Sequence, residues 1–336
     1  TGAPNRLSRI VSLASAMTLG LAAIMPTSTM AAAYASPQPP ASHWITSTNY
    51  RYPGNDGKHH AVSWDKYSYM IDDHHLNIWS GEVHYWRLPS PHQWRDVLQK
   101  MKAAGFNAVS FYFFWGYHQS APDSPFDFSG IRNIDLLLRM AAEEGLYVIA
   151  RPGPYINAEI SMGGMPAWQT NSSLPLRNAW DNTNWQQQRA WLHAVNKIIA
   201  RHQVTNGGGS VLLYQVENEE LASVGPYADY VKKIIKAAKE DGINVPIFHN
   251  DYAPVGNWAF TTKDTGLDVY SYDDYPIRFD CSATRHKLQD HNWHIDPAFR
   301  AAHHSPHFIA EAQGGAFTPW GASFNASACE KFVDAN

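Results

Sequence analysis

From about residue 61 onward, short apolar runs alternate with longer stretches in which apolar side chains recur at helical spacing. Those are the signatures of buried strands and of helices lying against a sheet. Ile78-Trp79-Ser80-Gly81-Glu82-Val83 reads as a first strand. Pro91 then opens a helix with Trp94, Val97, Leu98 and Met101 on one face, ended by Gly105. Residues 108–114 form a second strand, and residues 131–144 place Ile134, Leu137, Leu138 and Ala141 at helical spacing ahead of Gly145. Tyr147-Val148-Ile149-Ala150-Arg151 is the third strand, followed by a long loop and a helix over roughly 184–202. Residues 210–216 make strand four, and Pro226 starts the next helix with Tyr230, Ile234 and Ala238 inside. Residues 245–248, 267–270 and 307–310 complete a set of seven strands.

Strands alternating with helices predict a parallel sheet, either closed into a barrel or doubly wound. No glycine-rich phosphate fingerprint follows the first strand, which weakens the doubly wound option. The expected fold is therefore α/β, a (β/α)8 TIM barrel cut short of strand eight. Without that strand, two sheet edges would keep unpaired backbone groups.

The N-terminal region follows a different pattern. Arg6 and Arg9 precede the apolar run 10–25, and the small-residue stretch Ala31-Ala32-Ala33-Tyr34-Ala35 follows. This is the order of a secretory signal peptide, and the run is short for a membrane span. The expected division is a signal peptide over 1–36, a linker and N-terminal extension over 37–60, and a catalytic barrel over 61–336 that is incomplete at its C-terminus. The opening at Thr1 and the stop at Asn336 read as those of a fragment. The mature protein is expected to be secreted, with no membrane partner once the signal is removed.

Among 336 residues, 13 Trp, 17 Tyr and 14 Phe supply ample apolar surface for a core, which excludes disorder for most of the chain. With 26 basic against 30 acidic residues, the net charge of −4 argues against nucleic acid as a partner. Many aromatic rings beside few charges suit stacking on a neutral, flat ligand such as a sugar. The two cysteines, Cys281 and Cys329, are too few for a disulfide scaffold or a cysteine-based zinc site. Outside the cytosol a bridge between them would persist.

In a barrel of this kind, the chemistry gathers at the C-terminal ends of the strands. Strand two leads to Trp115, Tyr117 and His118, and strand three to Asn157, Ala158 and Glu159. Strand four ends in Glu217-Asn218-Glu219-Glu220, strand six in Asp273-Asp274-Tyr275 and strand seven in Glu311. Carboxylates at the mouths of strands four and seven can converge over the barrel axis. Glycoside cleavage needs such a pair, one acid to protonate the leaving oxygen and one carboxylate to stabilise or attack the oxocarbenium centre. Glu219 and Glu311 are the candidates, and the Asn218 amide is placed to bind a sugar hydroxyl.

Four segments carry a resemblance. Ser80 to Arg87, Arg151 to Glu159 with Gly163-Gly164-Met165-Pro166, Gln215 to Glu219, and Ile309-Ala310-Glu311 closely resemble the signatures of glycoside hydrolase family 35, the β-galactosidases. They occur in the family's order and cover roughly residues 61–330. The continuation from Ala312 to Phe317 with Pro319-Trp320-Gly321 resembles the large secreted, fungal-like members. The resemblance implies a retaining hydrolase that removes terminal non-reducing β-D-galactose by double displacement. It makes Glu219 the general acid/base and Glu311 the nucleophile. It also implies that Tyr112, Asn157, Glu159, Asn218 and Tyr275 hydrogen-bond the galactose ring, with the backbone at Ala158 against the same sugar. Cys281 and Cys329 match a disulfide of the large members. The implied partner is a β-galactoside oligosaccharide or polysaccharide, and no cofactor or metal is implied. Two positions depart from the family pattern: Glu220 stands where Tyr is usual, and Met165 where Phe or Leu is common.

Other readings stay open at this level. A galactoside-binding protein without turnover, an inactive open barrel, or a related retaining hydrolase for another sugar would share the strand-end carboxylates. The pairs His59-His60, His74-His75 and His303-His304 are adjacent residues that point to opposite sides of an extended chain, which argues against a metal site. Glu82 and His84 read as structural hydrogen-bonding groups near strand one. Trp115, Trp168 and Trp320 are either sugar platforms or ordinary packing. Asn171-Ser172-Ser173 and Asn325-Ala326-Ser327 are glycosylation sequons if the source is eukaryotic.

Overall fold

The computed structural model describes residue 53 and residues 56–171, 176–221, 223–259, 262–275 and 304–312. The signal region, most of the linker, Cys281, Cys329 and Trp320 lie outside the described residues, as does all or part of each sequon.

The described fold begins with a small antiparallel sheet of β1 (Val62–Trp64), β2 (Tyr69–Ile71) and β3 (His74–Leu76), paired in that order. Asp72 and Asp73, both at positive φ (49° and 64°), make the tight turn between β2 and β3. Both central residues of such a hairpin turn must be left-handed, a conformation Asp tolerates better than most residues.

A parallel sheet follows, built from β4 (Ser80–Glu82), β5 (Ala108–Tyr112), β6 (Tyr147–Arg151), β7 (Val211–Gln215), β8 (Ile247–Asp251), β9 (Val269–Asp274) and β10 (Ile309–Ala312). These seven strands are neighbours in chain order, without the reversal of a doubly wound sheet. Helices α1 (Pro91–Ala103), α3 (Ile134–Glu143), α4 (Asn182–Ile199) and α5 (Gly225–Glu240) connect successive strands, with short α2 (Trp115–His118) and α6 (Thr262–Thr265) in loops. The helix starts are set locally. Ser90, Asn133 and Asp181 accept from the backbone N–H three residues on, at 3.4, 2.9 and 2.7 Å, and Pro91 occupies the first turn of α1.

Alternation along each strand divides the side chains between two cores. Val109 and Phe111 of β5 and Val148 and Ala150 of β6 pack outward against Trp94, Leu98, Leu137, Leu138, Trp191 and Val195 of the helices. Ala108, Tyr147, Ile149, Leu213, Phe248, Val269 and Phe308 face the other way, and Tyr69, Ile71 and Leu76 of the antiparallel sheet pack onto them. The sheet is curled. The Arg151 guanidinium, at the end of β6, bonds Glu82 of β4 and Glu311 of β10, so residues from both outermost strands meet at a strand that lies between them.

The strands β4, β5 and β7 stop one or two residues short of their apolar runs, at Glu82, Tyr112 and Gln215, whereas the later strands run further toward their C-termini. β8 extends to Asp251 rather than stopping at Phe248, and β9 extends to Asp274 rather than Tyr270. The added residues are polar and mostly buried, because the inner face of the curl changes character along each strand.

Candidate active site

Along the inner face, apolar side chains give way to polar ones in the direction of each strand. On β5 the order is Ala108, Ser110, Tyr112, and on β6 it is Tyr147, Ile149, Arg151. Leu213 and Gln215 follow on β7, Phe248 and Asn250 on β8, and Val269, Ser271 and Asp273 on β9. The polar ends converge with Glu82 and Glu311 into one network sealed beneath by the apolar layer.

Glu311 is held as an anion. Its Oε1 accepts from Tyr112 Oη and, at 2.5 Å, from Arg151 Nη2, and its Oε2 accepts from Tyr275 Oη at 2.5 Å. Burial raises the Glu311 pKa, but Arg151, Tyr112 and Tyr275 outweigh it and leave the carboxyl below its ordinary value. Arg151 is only 1% exposed, lies 3.9 Å above the Tyr112 ring and also donates to Glu82 Oε2 at 2.7 Å. Glu82 and His84, which bond each other at 2.7 Å, thus support the cluster from β4.

Asn218 is the hinge of the network. Its Oδ1 accepts from Tyr112 Oη at 2.8 Å, Arg151 Nη2 at 3.0 Å and Gln215 Nε2 at 3.1 Å, while its Nδ2 donates to Glu219 Oε2 at 3.2 Å. Glu217 and Glu219, on either side, have φ of 58° and 50°. Left-handed backbone at a non-glycine residue costs on the order of 1–3 kcal/mol, and such strain collects where function demands a fixed side-chain direction. Glu219 also accepts from Asn157 Nδ2 at 3.4 Å, and its backbone N–H donates to Asn250 Oδ1 at 3.3 Å. Burial and the nearby Glu311 charge raise the Glu219 pKa. Two carboxyl groups in one network therefore have opposite proton affinities.

Residues 157–159 form a second left-handed stretch, with φ of 53°, 52° and 50°. It is anchored where Arg87 Nη2 donates to the Ala158 carbonyl at 2.8 Å. Asn157 turns toward Glu219, whereas the Glu159 side chain is exposed. Gly163 packs flat against the Tyr155 ring, at positive φ, where any Cβ would collide with that ring.

Beside this centre, Arg177 grips Glu217 through Nε and Nη2 at 2.8 and 2.6 Å and donates to the Asn218 carbonyl at 2.6 Å. Glu220 sits beside Arg177. Its carboxylate lies 3.5 Å from Arg177 and lines, with Tyr155, Ile160, Met162 and Tyr227, a cavity of about 600 Å³.

Of the residues read from the sequence, Glu219, Glu311, Tyr112, Asn157, Asn218 and Tyr275 are joined through hydrogen bonds. Ala158 borders them and Glu159 stands apart at the rim. Trp115 is fully buried, stacked on Trp191 and edge-on to Trp168, which makes it packing. His60 is engaged by Asp56 and Asp72, and His59 by the Thr205 carbonyl. Asn250, Gln215 and Asp273 also belong to the network; sequence reading assigns Asn250 no role and names Gln215 and Asp273 only within longer segments. Their signal is their place on the inner face just past the apolar part of each strand.

The sequence profile of Glycosyl hydrolases family 35 matches residues 68–335. A probable beta-galactosidase C of Aspergillus fumigatus is 40% identical over 282 residues, covering 80% of this chain and 28% of the relative. The protein of the same name from Aspergillus oryzae is 38% identical over 288 residues, covering 83% and 29%. The chain thus spans less than a third of the length of the curated relatives it matches. Among solved structures, a beta-galactosidase from the psychrophilic Marinomonas ef1 superposes with a TM-score of 0.50 at 13% identity, over 77% of this chain and 52% of that one. A glycoside hydrolase superposes with a TM-score of 0.51 at 12% identity, over 79% and 59%. These two likenesses concern the fold alone.

Proposed function

The chain belongs to glycosyl hydrolases family 35, and from that membership we propose that it is the catalytic part of a retaining β-galactosidase. The curled parallel sheet is read as seven strands of a (β/α)8 barrel whose polar mouth binds a terminal, non-reducing β-D-galactose. Glu219 protonates the glycosidic oxygen while Glu311 attacks the anomeric carbon. Water then hydrolyses the galactosyl-enzyme as Glu219 changes to base.

The observation that carries this reading is the opposite treatment of the two carboxyl groups. Arg151, Tyr112 and Tyr275 keep Glu311 ionised and so able to attack, while burial and the Glu311 charge favour the protonated form of Glu219. Once Glu311 is esterified its charge is gone, the Glu219 pKa falls, and the carboxylate left by proton donation is ready to accept a proton from water. Tyr112, Asn157, Glu159, Asn218 and Tyr275, with the backbone at Ala158, are assigned to the galactose hydroxyls. The retaining route requires the carboxyl groups of Glu219 and Glu311 to lie about 5–5.5 Å apart.

The same reading assigns residues 1–36 to a signal peptide, 37–60 to a linker and 61–336 to the catalytic barrel. It makes the protein secreted, with a Cys281–Cys329 disulfide and a β-galactoside oligosaccharide or polysaccharide as substrate. Among the described residues no helix is long and apolar enough to cross a membrane. The test is hydrolysis of matched aryl β-glycosides by the full-length protein, followed by NMR of the first-formed sugar. The expected outcome is fastest release from the galactoside, with β-galactose appearing first. α-Galactose first would refute retention, and faster cleavage of a glucoside or mannoside would refute the sugar assignment.

A further inference from the structure

β8 reaches the candidate acid/base through two successive residues. Asn250, on the inner face, accepts the Glu219 backbone N–H at 3.3 Å. His249 is turned to the opposite face by the alternation of the strand, and its Nε2 accepts the Glu220 backbone N–H at 3.1 Å. In the loop after β8, Trp258 donates from Nε1 to the Glu220 carbonyl at 2.5 Å. Both polar groups of the Glu220 main chain are thus taken by side chains from one neighbouring segment. His249 and Trp258 are fully buried and lie ring against ring, with centroids 4.6 Å apart and planes 37° apart. Asp251 ties the loop down, its Oδ2 accepting from Tyr270 Oη at 2.9 Å and from the Trp258 backbone N–H at 3.5 Å.

The contact with Glu220 defines the state of the His249 ring. A backbone N–H only donates, so Nε2 is bare and the proton of the neutral imidazole sits on Nδ1. Burial, with Arg177 and Arg151 nearby, pushes the His249 pKa down to about 3, which keeps the ring neutral. Nδ1 is itself buried and meets no acceptor among the described residues. An orphaned buried N–H is costly, so the ring gains one hydrogen bond and forfeits another. Such an arrangement adds little to stability and is explained by what it holds in place.

What it holds is the main chain directly after Glu219. Glu219 is left-handed, with φ of 50°, and a residue so strained keeps its conformation only where its surroundings over-determine it. On the N-terminal side, Arg177 grips Glu217 and the Asn218 carbonyl. On the C-terminal side, the fixing groups are His249 and Trp258. A general acid works only when its proton points at the leaving oxygen, and a misplacement of about 1 Å can cost about a hundredfold.

We propose that His249 and Trp258 are positioning residues of the acid/base, a clamp on the Glu220 main chain that aims the Glu219 carboxyl at the leaving oxygen. This rests on the β-galactosidase reading for the substrate.

The test compares three variants of the full-length protein on phenyl and dinitrophenyl β-galactosides. His249→Phe keeps a ring beside Trp258 but has no acceptor, whereas His249→Gln carries an amide oxygen as far from Cβ as the lost Nε2. Trp258→Phe removes the indole donor independently. Phenoxide needs a proton in order to leave and dinitrophenoxide does not, so only the phenyl substrate reports the aim of the acid. The expected result is a fall of about tenfold or more in kcat/KM for the phenyl galactoside in His249→Phe and in Trp258→Phe, with the dinitrophenyl substrate within about twofold of wild type. His249→Gln should return the phenyl galactoside to within about threefold of wild type. Equal losses on both substrates, or no loss on either, in one of the Phe variants overturns the proposal, as does a Gln variant as slow as His249→Phe. If the same split between leaving groups appears on aryl glucosides or mannosides and no galactoside is cleaved, the clamp stands and the β-galactosidase reading falls.

Discussion

Glu311 accepts from a guanidinium and two phenols, whereas Glu219 takes its side-chain donors from amides at 3.2 and 3.4 Å and feels the charge of Glu311. Removing one phenol should therefore be read in the pH profile. Burial raises the Glu311 pKa, and Tyr112 is one of the groups that bring it back down. In Tyr112→Phe the pKa rises, and the acid limb of kcat/KM should move to higher pH by about one unit. An unmoved acid limb would mean that Glu311 is not the group that must be ionised. At this scale the sequence was informative where a residue followed directly on an apolar strand. Glu219, Glu311 and Tyr275 are found that way. Arg151 was visible as a strand end, but its bridging of Glu82 and Glu311 depends on the curl, which no local pattern encodes. Asp273 was hidden in the pair Asp273-Asp274, where only the facing of β9 tells the inward carboxyl from its neighbour.

At the scale of elements, Asp241 just past α5 shows how the helical layer is tied together. Its carboxylate accepts from Arg189 Nη1 and Nη2, both at 2.9 Å, from His193 Nδ1 at 2.6 Å and from Asn196 Nδ2 at 3.1 Å, all on α4. Tyr214 of β7 orients Asn196 by donating to its Oδ1 at 2.6 Å. Burial raises the Asp241 pKa, but the α4 donors outweigh it and hold it below 3.8. Its contribution to stability is therefore present above that value and is lost as pH falls through the lower, folded-state pKa. Asp241→Asn should destabilise the protein by about 3 kcal/mol near neutral pH, measured by urea unfolding, and by less in acid. An unchanged midpoint at neutral pH would show that the α4–α5 tie contributes nothing. The long helices were legible because each has an apolar stripe and a local start signal, a capping side chain in α1, α3 and α4 and Pro226 in α5, as Asn133 with Leu137, Leu138 and Ala141 illustrates. Strand ends were not. His249, Asn250 and Asp251 continue β8 but break the apolar run, because the inner face there is a polar site rather than a core. The antiparallel sheet of β1 to β3 escaped notice because three-residue strands carry too little periodicity, and Asp72-Asp73 was its one local sign.

For the molecule as a whole, the order of strands from β4 to β10 and the shared ionic cluster of Glu82, Arg151 and Glu311 have one consequence. A sheet that curls with its apolar layer covered at one end by Tyr69, Ile71 and Leu76 leaves, among the described residues, a polar mouth that holds both candidate carboxylates. The seven-strand plan was legible from the alternation of periods, since strands and helices in strict succession admit few topologies. The central claim is that Glu311 is the nucleophile of a galactosyl-enzyme. Treating the full-length protein with an activated 2-deoxy-2-fluoro-β-galactoside should trap that ester, and peptide mass spectrometry should find the label on Glu311. A label on any other residue, or complete turnover of the inactivator with no adduct at any pH, would contradict the account.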